Sequence, residues 1–160
     1  MDFPYPRLQF GIRFCVMTCL LAAMLYLLAI PDTDRAWLAF FGIVFFLAIA
    51  LTTLTPMTTG HEVSDGGIVL RQGLLFRESI PFRDIRSVQR LETRLWAWGL
   101  FPAGSWSRII LASGNRNLVE IKLKEKRRFG MLLWRSSGEI IIDLVNPDEF
   151  VKLANEKLMG

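Results

Sequence analysis

The chain has 160 residues, 52% of them apolar and 21% charged, with two cysteines, one histidine and a formal net charge of +4. Its mean hydropathy of +0.35 is high for a soluble protein, while the charge, almost all of it after residue 60, amounts to one polar domain, so the composition is that of a hybrid. One histidine and two closely spaced cysteines leave little for a metal or disulfide framework, and +4 is modest for a nucleic-acid binder.

Residues 1–13 form a lead with two prolines and the aromatic residues Phe3, Tyr5 and Phe10, a composition that predicts a short irregular segment at a membrane interface. Two uncharged runs follow, Phe14 to Ile30 and Ala36 to Leu54, joined by Pro31-Asp32-Thr33-Asp34-Arg35. Each approaches the roughly 20 residues a helix needs to cross about 30 Å of hydrocarbon. Back to back in so short a chain, they leave too little protein to cover two soluble helices. A cleaved signal peptide is the competing reading of the first run, but no small-residue cleavage site follows Ile30. The expectation is a transmembrane helical hairpin over 14–54.

Charge sets its orientation. Arg7, Arg13 and the amino terminus precede the first helix, whereas Arg35 sits beside Asp32 and Asp34 in the connecting loop. Positive charge prefers the cytoplasmic side, which puts both termini and everything after the hairpin in the cytoplasm. Cys15 and Cys19 lie four apart on one helix, a poor geometry for a disulfide. With Thr18, Ala22 and Ala23 they form a small-residue stripe, expected to receive Ala39 and Gly42 of the second helix.

Residues 55–61 read as a linker in which Pro56 ends the helix, Gly60 frees the chain and His61 is a spacer. Only a few residues long, it holds the following domain, 62–160, close to the membrane. That domain carries 16 Lys and Arg against 12 Asp and Glu. Its periodicity predicts seven strands: Gly67 to Arg71, Leu74 to Ile80, Ile85 to Leu91, Arg108 to Ala112, Leu118 to Leu123, Phe129 to Trp134 and Ile140 to Val145. Turns are expected at Gln72-Gly73, Ser113-Gly114-Asn115 and Ser136-Ser137-Gly138. A final helix starts at Asn146, with Pro147 in its first turn and Asp148 and Glu149 complementing its positive end. Phe150, Leu153, Ala154 and Leu158 give it one apolar side that lids the sheet.

The stretch Asp65 to Val88, DGGIVLRQGLLFRESIPFRDIRSV, resembles the opening of the bacterial pleckstrin-homology-like domains found in small membrane proteins behind paired amino-terminal helices. The likeness rests on a strand, a Gly turn, a second strand and the segment Ile80-Pro81-Phe82-Arg83-Asp84-Ile85, and extends weakly to the Asn-Pro-Asp-Glu-Phe start of the last helix. It implies a mostly-β pleckstrin-homology-like domain of seven strands and a C-terminal helix, cytoplasmic and non-catalytic, organising other proteins. It does not imply phosphoinositide binding. In lipid-binding relatives the loop between the first two strands carries several basic residues, whereas here it is only Gln72-Gly73, flanked by Arg71 and Arg77.

Two surfaces are candidate contacts. The segment around Trp96, Trp98, Leu100, Phe101 and Trp106 concentrates three tryptophans in a Gly- and Pro-containing connection; it either closes one end of the sandwich or, exposed, grips a membrane-protein partner or the headgroup layer. The run Lys122, Lys124, Lys126, Arg127 and Arg128, expected at the end of the fifth strand and in the loop after it, is either a solvated edge or a contact for anionic lipids. No Gly-rich phosphate loop, reactive cysteine or paired catalytic carboxylate is evident. The sequence therefore predicts a non-catalytic membrane protein, without cofactor, metal or small-molecule substrate, whose domain serves protein interaction, assembly or an accessory role, with a membrane-protein partner or by self-association. The alternative is a lipid-sensing module using the basic run and the tryptophan segment.

Overall fold

The structure, a computed structural model, describes residues 1–27, 30, 35–92, 99–103, 108–114, 116–129 and 136–159. The chain opens with strand β1 (Asp2–Pro4), followed by the long helices α1 (Arg7–Leu27) and α2 (Arg35–Ile49). A π-helical turn, Ala50–Leu54, and the short helix α3 (Thr55–Met57) continue α2. The windows Phe10–Leu27 and Arg35–Met57 are long and apolar enough to cross a membrane, and most of their apolar side chains are exposed in the chain on its own.

Pro56 does not end the second helix where its ring and missing N–H predict. The π-turn, in which the Thr55 N–H reaches back to the Ala50 carbonyl, widens the helix just before the proline, and Pro56 falls at the start of α3, where no donor is lost. The small-residue stripe is also placed differently. Gly42 is buried, but α1 turns Phe14, Met17, Leu21 and Met24 inward, while Cys15, Thr18, Cys19, Ala22, Ala23 and Ala39 are exposed.

Two sheets follow. The first has the order β1-β2-β3-β4, with β2 (Gly60–Val63), β3 (Gly67–Gln72) and β4 (Phe76–Pro81), all antiparallel. The second has the order β5-β8-β9-β7-β6, with β5 (Ile85–Leu91), β6 (Gly99–Ala103), β7 (Arg108–Ala112), β8 (Leu118–Arg128) and β9 (Ser136–Asp143). Because β9 returns between β8 and β7, it runs parallel to β7.

Nine strands are thus described where seven were expected, and the differences have local causes. β1 and β2 are too short to show alternation, and β6 falls inside the tryptophan segment. β8 continues to Arg128, past the point at Leu123 where its inner face stops being buried, so the basic run is strand rather than loop. A register break between Lys122 and Arg127 accommodates it. Ser136-Ser137-Gly138 opens β9 instead of turning, and Phe129, expected to begin a strand, follows the end of β8 as a buried side chain. The rest of that expected strand lies outside the described residues.

The sheets face each other across one core. Ile68, Leu70, Phe76 and Ile80 meet Leu111, Val119, Ile121, Ile140 and Ile142, with Phe3, Phe129 and Phe150 among them. A smaller cluster of Ile110, Ala112, Leu118 and Ile141 is buried on the other face of the five-stranded sheet. Helix α4 (Pro147–Met159) lids the sandwich: Phe150 and Ala154 are buried, and Asn155 donates to the Val88 carbonyl at 3.2 Å. Its start is as the sequence predicts, with the Phe150 N–H on the Asn146 carbonyl and the side chains of Asn146 and Glu149 3.4 Å apart.

Candidate functional site

The lead is ordered. Instead of lying irregularly at an interface, Asp2–Pro4 adds an edge strand to the first sheet, in register Asp2 to Glu62, Phe3 to His61 and Pro4 to Gly60. The physical reason is aromatic burial: Phe3, Tyr5 and Phe10 are at most 2% exposed, and Phe3 meets Phe150 edge to face at 5.0 Å. Gly60 permits the approach, since a Cβ there would stand 2.8 Å from the Phe3 carbonyl oxygen. The strand before α1 and the strand after α3 are therefore neighbours in one sheet, so both ends of the hairpin are fixed to the same domain.

Polar groups line this joint. The Tyr5 hydroxyl donates to the Arg71 carbonyl at 2.8 Å, and its ring stacks obliquely on His61 at 4.6 Å and edge-on to Phe10 at 5.7 Å. His61 is no spacer. It is fully buried in β2 and accepts the Arg71 N–H on Nδ1 at 3.3 Å. Burial pushes its pKa down to about 3, so the ring is a neutral acceptor near neutrality rather than a general base.

A second polar knot lies beside it. Asp143 is fully buried, and one carboxylate oxygen accepts both the Ser113 N–H, at 2.8 Å, and the Ser113 hydroxyl. Arg13, two turns into α1, donates to the Ser113 carbonyl at 2.6 Å and lies over the Phe10 ring. Its long side chain carries the charge out of the helical span and toward Asp143. Burial raises the Asp143 pKa to about 6, against the opposing pull of the Ser113 hydrogen bonds. Burial, and secondarily the Asp143 charge, holds the Tyr5 phenol well above its ordinary value, so it stays a donor.

Four buried polar atoms, His61 Nε2, Arg71 Nε, Gln72 Oε1 and Asp143 Oδ1, have no partner among the described residues. No group of three His, Cys, Asp or Glu converges to hold a metal ion there either. Arg71 does pair with Glu62 at 3.0 Å. The arrangement is suited to fixing the hairpin on the domain. Its sequence signal is faint: the two strands are too short to display a period, and nothing in the chain marks Arg13, Ser113 and Asp143 as neighbours.

The two sequence-derived contact surfaces fall elsewhere. Trp96, Trp98 and Trp106 lie outside the described residues; Leu100 and Phe101 are on β6, the edge of the second sheet. In the basic run, Lys124, Lys126 and Arg128 are exposed, Lys122 pairs with the buried Glu120 at 3.3 Å, and Arg127 lies 3.7 Å from Glu78 and 3.9 Å from Asp84. Glu120 also accepts from Gln89 at 2.6 Å and faces Arg108 at 4.0 Å. β8 starts opposite Asp143 at the joint and runs away from it. At about 3.3 Å per residue, Lys126 is roughly 26 Å along the strand from Leu118.

The chain matches no family model, no curated protein and no solved structure.

Proposed function

We propose that this chain is a two-span membrane protein whose pleckstrin-homology-like domain is held at the cytoplasmic face as a docking or assembly platform for a membrane-protein partner, without catalysis of its own. The observation that carries the reading is the joint. Strand β1 before the hairpin pairs with β2 after it, so the domain is fixed on its helices at two points instead of hanging from a linker. A fixed platform presents its surfaces at a constant height and angle, which favours a partner in the same membrane. The two-sheet sandwich lidded by α4 supports a pleckstrin-homology-like reading, and the parallel β7 and β9 pair is its point of departure. Cytoplasmic placement rests on Arg7 and Arg13 against the single Arg35 of the loop.

Lipid sensing by the basic run is the weaker reading, because that run lies toward the end of β8 remote from α1 and two of its five members are engaged by acidic neighbours. The test is extraction of the tagged chain from its own membranes in mild detergent, followed by intact mass measurement. A stoichiometric partner, lost when Trp96, Trp98 and Trp106 are replaced, is the expected result. A chain that runs alone contradicts the platform reading.

A further inference from the structure

One short apolar feature sits where the domain meets the hairpin. The turn between β3 and β4, Gly73-Leu74-Leu75, lies flat on the end of the second span: the Gly73 N–H donates to the Thr59 hydroxyl at 2.9 Å and the Leu74 N–H to the Thr55 hydroxyl at 3.3 Å. Gly73 has φ +59°, and a Cβ there would stand 2.1 Å from the Thr55 oxygen, so the close seat requires glycine. Thr55 in turn donates to the Leu51 carbonyl, within the apolar window that ends at Met57. The turn is therefore level with the last helical turns of the span, not above them.

At that level Leu74 is 77% exposed, among the most exposed large apolar side chains of the chain. Leu51 and Leu54, in the helical turn that carries Thr55, are exposed as well. Three residues on, Arg77 is exposed, with no ion pair among the described residues. An apolar tip beside a helix end, with a cation just behind it, matches the layering of acyl chains under phosphates at a bilayer surface.

We propose that the Gly73-Leu74-Leu75 turn dips into the bilayer that the hairpin crosses, with Leu74 at the boundary of the acyl chains and Arg77 at the phosphates, as a third membrane contact that fixes the tilt of the domain. The proposal rests on the spanning reading of the hairpin. Its occupant is the lipid surface itself, because the turn is seated on Thr55 at the end of the apolar window Arg35–Met57, and no particular headgroup is required.

The full chain, with Cys15→Ser and Cys19→Ser, is reconstituted in vesicles of phosphatidylcholine and phosphatidylglycerol and labelled with an environment-sensitive fluorophore at Leu74→Cys. Phe46→Cys, mid-way along the apolar window Arg35–Met57, is the reference for the membrane interior, and Lys126→Cys the reference for water. The expected result is a blue-shifted emission at position 74, quenched by lipid carrying a nitroxide high on its acyl chain, with position 126 unshifted. Emission at 74 matching that at 126, while 46 reads as membrane interior, overturns the proposal and leaves the spanning reading intact. A water-like signal at 46 overturns both. Leu74→Asp, a substitution at an exposed site, gives a second readout: trypsin cleavage at Arg77 in vesicles is expected to accelerate, and an unchanged rate counts against the contact.

Discussion

The two ends of the β sandwich treat polar groups in opposite ways. At the hairpin end, His61, Asp143 and the Tyr5 hydroxyl are buried, and backbone groups of Arg71 and Ser113 meet them. At the far end, Lys124, Lys126 and Arg128 stand in solvent and Lys157 pairs with an almost fully exposed Asp65. Burying polar groups without partners is costly, so the joint can hold only one arrangement, whereas the far end tolerates many. The difference identifies the joint as the part of the molecule where geometry matters.

Substitutions should divide along this line. Phe3→Ala removes a ring that packs against Phe150 in the core and is expected to cost about 3–5 kcal/mol in thermal or denaturant unfolding of the detergent-solubilised chain. A loss under about 1 kcal/mol would mean that β1 is not seated. Tyr5→Phe keeps the ring but leaves the Arg71 carbonyl without its hydroxyl donor, for about 1–3 kcal/mol.

His61 and Asp143 sharpen the contrast through pH. With His61 held at about 3 against an ordinary 6.5, the unfolded chain takes up a proton that the folded chain refuses, so acidification through that window destabilises. With Asp143 raised to about 6 from 3.8, the folded chain takes up a proton first, so acidification from about 6 stabilises. Each contributes up to about 1.4 kcal/mol per pH unit, with opposite sign, so together they nearly cancel between about pH 6 and 4. His61→Gln is expected to make stability rise as pH falls through that range, and Asp143→Asn to make it fall. Parallel slopes in both variants would contradict the burial of one of the two groups. At the far end, Lys126→Glu is expected to change stability by no more than about 0.5 kcal/mol at any pH in this range.

The hairpin and α4 were legible because their signals are long or local: two uncharged runs of near-membrane length, and an Asn-Pro-Asp-Glu start followed by apolar residues at helical spacing. The alternation of Val119, Ile121 and Leu123 likewise placed the core face of β8. β1 was not legible, since three residues ending in proline cannot display a period, and its partner lies more than 50 residues away across two helices. His61 misled for a related reason. A lone histidine after Pro and Gly reads as a linker, and its burial follows only once Tyr5 has been brought against it. The knot of Arg13, Ser113 and Asp143 depends on packing between distant elements, which no local pattern encodes.

The central claim is that the strand before the hairpin is zipped to the strand after it, and a disulfide reads this directly. Met1 and Val63 exchange both backbone hydrogen bonds, so Asp2 and Glu62 form the adjacent non-hydrogen-bonded pair, the spacing a cross-strand disulfide prefers. In the background lacking Cys15 and Cys19, Asp2→Cys with Glu62→Cys is expected to cross-link rapidly under mild oxidation in native membranes, while Asp2→Cys with Asp65→Cys does not. Equal cross-linking of the two pairs, or none in either, would contradict the clamp.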